Sequence, residues 1–247
     1  MLGIVGTRRP SAYGLEVAGW IAKELAHAGI TVVSGLAQGI DAAAHWGALS
    51  AGGVTVGVLG CGLDVCYPRR NKDLYQSIAR TGALVSEYPS GTPPLKQNFP
   101  VRNRIIAGMC LGVVIVEARP RGGALITARL AMEFSREVFA VPGLVHSPGS
   151  SGTHALIRDG ARLVTSASEI LDDLGMLAMT PTSVAPVLDP DESRVISCLE
   201  ASPVLLDSIA KRSRMPVATV TAVLVRLEIK GIVSRYTGGR FALSVAG

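Results

Sequence analysis

At 247 residues, 48% of them hydrophobic, the chain is long enough to bury a full core and to hold one large and one small domain. No apolar run reaches the length that spans a bilayer and no basic, apolar, small-residue leader is present, so the expected location is the cytoplasm, with no membrane partner. The net charge is +5, and four cysteines without a CxxC pair or a His cluster fit free thiols in a reducing compartment better than a disulfide framework or a metal site.

Short apolar runs alternate with amphipathic stretches along most of the chain. Leu2–Val5, Thr31–Val33, Val54–Leu59, Ala83–Val85, Leu111–Val116 and Val138–Val141 have the length and β-branched content of buried strands. Tyr13–Ala28, Ile40–Ala51 and Asn71–Arg80 carry helical spacing, a short helical segment bears Arg102 and Arg104, and another helix opens at Ala124. This alternation predicts βαβ units, an α/β fold whose parallel sheet has helices on both faces. Arg162–Val164 adds a last strand and Ser168–Leu174 a closing helix, which completes a large domain over residues 1–174. Over 175–190 three prolines enter and the periodicity stops, the signature of a linker. Within 191–247, Asp191–Leu199, Leu205–Arg212 and Val217–Lys230 read as helices, the last ended by Gly231. Ile232–Tyr236 and Arg240–Leu243 then flank Thr237-Gly238-Gly239, so the small domain is expected to be a winged helix.

Ligands of an open parallel sheet bind beyond the carboxyl ends of its strands, so the segments that follow the strands enumerate the site. The first strand runs into Gly6-Thr7-Arg8-Arg9-Pro10-Ser11, with Ser11 set to cap the next helix, and the second into Ser34-Gly35-Leu36-Ala37-Gln38. The third gives Gly60-Cys61-Gly62 and then Tyr67-Pro68-Arg69-Arg70-Asn71-Lys72. The fourth gives Glu87 and a proline-rich loop ending in Lys96-Gln97-Asn98-Phe99, the fifth Glu117 to Gly123, and the sixth Pro142-Gly143. Between Gly60 and Leu130, ten Lys/Arg stand against four Asp/Glu, a surplus of six that exceeds the net charge of the whole chain. Such asymmetry points to an anionic partner.

Glycine lets a backbone approach a phosphate closely, helix-start amides point at it, and arginine adds a matching fork. One glycine loop is ordinary turn chemistry, but several basic ones on one edge make an anion site. Neither a Walker lysine loop nor a full GxGxxG fingerprint is present, and no Ser-His-Asp set is evident. His27 and His45 fall within helices, and His146 and His154 lack acidic neighbours in sequence. Phe99, among Lys96, Arg102 and Arg104, has two readings. It is a platform on which bases of a single strand stack while the backbone follows the charge, or it anchors its own helix in the core.

Taken together, the strings IVGTRRPS, VVSGLAQGIDAAAH, GCGLDVCYPRRN, SEYPSGTPP, NFPVRNRIIAG, IVEARPRGGALITARLA and VFAVPG resemble the DNA-processing protein A (DprA/Smf) family over most of residues 2 to 165. The tail from Asp191 resembles the winged-helix domain that many members carry. The resemblance implies an extended Rossmann fold, a homodimer, single-stranded DNA binding and delivery of that DNA to RecA recombinase in natural transformation. Neither a cofactor nor catalysis is expected. The residues expected to meet DNA are Gly6, Thr7, Arg8 and Arg9 after the first strand, and Ser34 and Gly35 after the second. Arg69, Arg70 and Lys72 follow the third strand, Lys96, Asn98, Phe99, Arg102 and Arg104 the fourth, and Arg121, Gly122 and Gly123 the fifth. Two departures from the family pattern are Gln38, where arginine is frequent, and the lack of the small helical domain that commonly precedes the sheet.

The competing expectation is an enzyme or a nucleotide-binding module. Lysine-decarboxylase-like phosphoribohydrolases share this type of sheet and carry PGGxGTxxE after the equivalent strand. Laid over Arg121 to Arg129, that motif keeps only its two glycines, and Arg129 occupies the glutamate position, where a proton must be exchanged near neutral pH. Two further expectations concern surfaces. His154, Ile157 and Leu163, near the last edge of the sheet, are candidates for a two-fold interface, with core packing of Leu156 and Leu163 as the other reading. The last helix offers Thr219, Thr221, Arg226 and Lys230 among seven Val/Leu/Ile, too few polar side chains for sequence-specific duplex reading.

Overall fold

The structure, a computed structural model, describes residues 1–176, 189–199, 203–229, 232–236 and 238–243. It divides into two compact units, Met1–Met179 and Thr180–Gly247. The linker expected over 175–190 lies mostly outside the described residues, as do Lys230, Gly231 and Thr237.

In the first unit the buried apolar runs become seven strands: β1 (Leu2–Val5), β2 (Val32–Ser34), β3 (Thr55–Val58), β4 (Ala83–Val85), β5 (Gly112–Ile115), β6 (Glu137–Ala140) and β7 (Arg162–Leu163). Their order is β4-β3-β2-β1-β5-β6-β7, and every pairing is parallel. The helices are α1 (Ala12–His27), α2 (Ile40–Ser50), α3 (Lys72–Thr81), α4 (Asn98–Met109), α5 (Gly123–Glu133), α6 (Ser151–Arg158) and α7 (Ala167–Asp173). Because successive strand residues point to opposite faces, each strand feeds two cores. Leu2, Ile4, Val32, Val114, Val116 and Phe139 pack with Ile21 and Leu25 of α1, Ala44 of α2 and Ile170 of α7. Val5, Val33, Val58, Val113 and Ile115 pack on the other side with Ile106 of α4, Ala128 of α5 and Leu156 of α6. Each fully buried Leu, Ile or Phe contributes about 1.5–3 kcal/mol, so neither face of this sheet could be left open.

The chain winds outward from β1 to β4 and then returns to lay β5 against the other side of β1. Loops after β1 and β5 therefore leave the sheet in opposite directions and open a crevice between them. Helix α6 was not expected; β3 and β5 are shorter at both ends than Val54–Leu59 and Leu111–Val116, and β2 and β6 are offset by one residue from Thr31–Val33 and Val138–Val141.

The second unit has α8 (Pro190–Ile196), β8 (Val204–Leu205), α9 (Leu206–Ser213), α10 (Val217–Ile229), β9 (Val233–Tyr236) and β10 (Arg240–Leu243). Its three-stranded antiparallel sheet has the order β8-β10-β9. A capping box opens α8: Asp189 accepts from Glu192 N at 2.7 Å while the Glu192 carboxylate accepts from Asp189 N at 3.0 Å. Val195, Ile209, Val220, Leu224, Leu227 and Phe241 form its core.

Candidate nucleic-acid interface

The crevice is built from the ends of the strands upward. After β1 the chain turns through Gly6 to Arg9, and Ser11 caps α1 by accepting from Gly14 N at 3.0 Å. The capping loop is pinned across the crevice by buried Glu117, which follows β5. Its carboxylate accepts from Ser11 N (3.0 Å) and Ser11 Oγ (2.5 Å), while its carbonyl accepts from Thr7 N (2.8 Å). On the other flank, Gly39 holds a φ of 89°, where a Cβ would come within 2.5 Å of the Thr7 carbonyl. The β1 loop is thus fixed from both sides, and exposed Arg8 projects from a rigid base.

Around this loop lies a cavity of about 630 Å³ at the carboxyl end of the sheet. Its lining brings together Gly6, Thr7, Arg8, Lys96, Phe99, Arg102, Gly122 and Gly123 from the expected set. The α5 helix starts at its wall with Gly122 as N-cap and no side-chain cap, so first-turn amides of α5 are left without a side-chain acceptor there. Phe99 also walls a smaller recess of about 80 Å³ with Gly35, Gln38 and Pro68. Its half-buried ring stands 5.6 Å from the Tyr67 ring, tilted by 34°, and the Arg8 guanidinium carbon lies 5.0 Å from its centroid.

Several expected contact residues do not reach out. Arg102 is only 3% exposed. Its Nη1 donates to the carbonyl oxygens of Gly35 (2.8 Å) and Val58, so it braces the ends of β2 and β3 from below the cavity. Burial lowers its guanidinium to about 10, against a partial offset from the nearby Asp41 carboxylate. Asp41 in turn accepts from Gly35 N (3.1 Å) and Ala37 N (3.4 Å), and burial pushes its carboxyl up from the usual range. Gly35 is squeezed between these charges: a Cβ there would stand 2.6 Å from both Arg102 Nη atoms. Ser34 is buried with its hydroxyl donating to Ile4 O at 2.6 Å, and buried Asn98 donates from Nδ2 to Gly60 O at 3.1 Å. These three side chains hold the rim together rather than offering donors to a ligand.

The remaining expected cations are exposed but not all free. Arg104 pairs with Glu87, whereas Arg9, Arg69, Arg70, Lys72 and Arg121 face solvent outside the cavity lining. Arg69 and Arg70 lie in a 3-10 turn, Arg69–Asn71, whose buried Asn71 donates to Leu36 O and Ala37 O. Sequence reasoning missed Tyr67 as a ring partner of Phe99, Arg119 and Thr127 as lining residues, and Glu117 as the crossbar. Tyr67 carried a signal, since it sits in the basic string after β3. Arg129, at the glutamate position of the hydrolase motif, is exposed on α5 and does not line the cavity. Of the edge candidates, the His154 ring meets Gly143 O at 3.1 Å, Ile157 is half-buried against the core, and Leu163 is 50% exposed. All four cysteines are free, and among the described residues no cluster of three His, Cys, Asp or Glu could hold a metal and no helix could cross a membrane.

The family model for DNA recombination-mediator protein A matches residues 1–175, and the DprA winged helix domain model matches residues 179–239. Protein Smf of Escherichia coli (strain K12) is 43% identical over 250 residues, covering 96% of this chain and 66% of that protein. DNA processing protein A from Streptococcus pneumoniae has a solved structure that matches with a TM-score of 0.66 at 46% identity, over 70% of this chain and 60% of that one. The Helicobacter pylori protein, whose structure concerns its single-stranded DNA binding mode, matches with a TM-score of 0.65 at 33% identity, over 70% of this chain and 79% of that one. The chain thus spans 66% of the length of the first of these relatives and 60% of the second. With its sheet unit and its winged helix both matched, the chain belongs to the DNA recombination-mediator protein A (DprA/Smf) family.

Proposed function

We propose that the rim binds single-stranded DNA, with phosphates on the exposed cations and a base against Phe99. The observation that carries this reading is the ring pair Phe99–Tyr67 with Arg8 5.0 Å from the Phe99 centroid, at the mouth of a cavity also lined by Lys96 and Arg119. An aromatic platform beside a cationic track suits bases that have left a duplex, because every base has a π face. The single-strand binding described for the Helicobacter pylori relative supports the same chemistry here. On this reading the protein is a cytoplasmic, non-catalytic homodimer that protects incoming DNA and helps load RecA recombinase in natural transformation. Against turnover at the cavity, the one carboxylate in its lining, Asp41, is already held by two backbone amides.

The test is a titration of Arg8→Ala, Lys96→Ala and Phe99→Ala with fluorescent oligo-dT at several salt concentrations. Four phosphate contacts give a slope of log K on log salt of about −3, at about −0.7 each on a single strand, and either charge variant flattens it by under one unit. Phe99→Ala weakens binding by about 1–3 kcal/mol and leaves the slope nearly intact. Wild-type affinity in all three, with native folding, would move DNA off this rim. Nucleotide binding or glycosidic hydrolysis by the intact protein would favour the enzyme reading instead.

A further inference from the structure

Beyond β6 the chain makes a loop that the rim does not account for. Leu144 and Val145 are 81% and 79% exposed, more than any other large apolar side chain among the described residues. They sit where a turn forms, Ser147 N donating to Leu144 O at 2.9 Å, a position that polar residues ordinarily fill. The loop is tied down on both sides of this tip. Before it, the Tyr13 hydroxyl donates to Pro142 O at 3.0 Å, and the His154 ring meets Gly143 O at 3.1 Å. After it, Ala118 N donates to Gly149 O at 2.8 Å. Tyr13 itself is 47% exposed at the first turn of α1, beside the loop that carries Arg8 and Arg9.

We infer that Tyr13, Leu144 and Val145 form a second apolar station for the same DNA strand, contacting bases on the far side of the cations. The inference rests on the single-stranded DNA reading of the rim and adds the path of the strand across it. Parallel pairing brings every loop after a strand to one edge, in the order β3, β2, β1, β5, β6. Tyr67 and Phe99 flank the β3 end of that series, and the Leu144 tip follows β6. Four inter-strand steps of about 4.8 Å separate them, roughly 19 Å. At a stacked spacing of about 3.4 Å per nucleotide, that distance takes roughly five to six nucleotides. The stretch between the stations carries exposed Arg8, Arg9, Arg119 and Arg121 after β1 and β5. Apolar surface at both ends of a cationic saddle matches a strand whose bases need cover and whose backbone needs charge, which argues for nucleic acid over a protein occupant.

The experiment uses the full chain, an oligo-dT ladder of increasing length, and the double variant Leu144→Ser/Val145→Ser. Its side chains are nearly free of packing, so the fold is retained, and Tyr13→Phe provides a second probe that keeps the ring while freeing the loop. Wild type should gain affinity steadily with length up to a strand that spans the saddle. The double variant should match it on the shortest strands and fall behind by about tenfold once the far station is within reach. Length curves that coincide throughout would overturn the second station while leaving the Phe99 site standing. A change of oligomeric state with unchanged DNA curves would assign the tip to protein contact instead. Loss of binding at every length in the unaltered protein would remove both readings.

Discussion

Arg8 stands exposed with its guanidinium 5.0 Å from the Phe99 ring, whereas Arg102, 6.0 Å from the same ring, is buried and bonded to two carbonyls. Both arginines sit in basic strings, and the sequence sets them apart only by acids: Arg8 has none near it, whereas Arg102 or Arg104 could pair with Glu87 or Glu117. What separates them is the partners of Arg102, Gly35 and Val58, which lie far from it along the chain and reach it only when β2 and β3 pair. The charge and the aromatic were therefore legible, but the division between contact and scaffold was not. His45 on α2 is fully buried. Its Nδ1 lies 2.7 Å from Thr55 Oγ1, and that hydroxyl donates its single proton to Val32 O, so the ring must be the Nδ1–H tautomer. Nε2 is buried without a partner, and burial followed by the Arg102 charge lowers the ring to about 3. An unfolded chain binds a proton there near pH 6.5, so the unfolded state holds more protons between that pH and about 3. Stability is full above this window and is lost as pH falls through it. Urea unfolding should show the unaltered protein losing about 2 kcal/mol more than His45→Gln between roughly pH 7 and 5. Parallel pH profiles would mean that the ring is protonated in the fold.

Elements were readable in proportion to their apolar content. Strands β1, β3, β5 and β6 are buried almost throughout, and a strand covered on both faces must be written in β-branched and aliphatic residues. Helix α6 gave no such signal because it is short and buries only Gly152, Thr153 and Leu156, two of them small or polar. Strand β8 holds two residues and exists only through its pairing with β10, a partner more than thirty positions away. Helix α10 is legible as a helix, and its exposed face is now specified. Ala218, Thr219, Ala222 and Val225 face outward, the Thr221 hydroxyl is turned back to Val217 O at 2.8 Å, and Arg226 pairs with Asp189 at 3.2 Å. A helix that reads base edges presents forked donors and acceptors to the major groove, and among the described residues this face offers mainly methyl groups, with Glu228 the further forked group exposed on it. The isolated second unit should therefore select no sequence from a pool of random duplexes. Enrichment of one duplex in such a selection would restore a reading role to α10.

At the scale of the whole molecule, the sheet ends in a short strand whose outer edge is unpaired among the described residues. Arg162 on β7 is held by Glu137 (3.1 Å) and Asp173 (2.7 Å), while its neighbour Leu163 is half-exposed on the same edge strand. A two-residue edge strand with an apolar side chain offers a second copy a patch to pair with itself. If the protein dimerises there, a long DNA strand can occupy two rims, and the second binding step becomes intramolecular. Leu163→Glu puts a charge on that patch with little disturbance to the core, and Ile157→Glu is the harsher companion. Both should run as monomers in light scattering. Leu163→Glu should bind short oligo-dT like the unaltered protein, yet lose the gain that long strands show beyond the length saturating one rim. That gain is on the order of 10²-fold when the geometry allows both rims to engage. A native, dimeric Leu163→Glu protein would exclude this edge. A monomer that kept the long-strand gain would mean that each rim meets DNA alone.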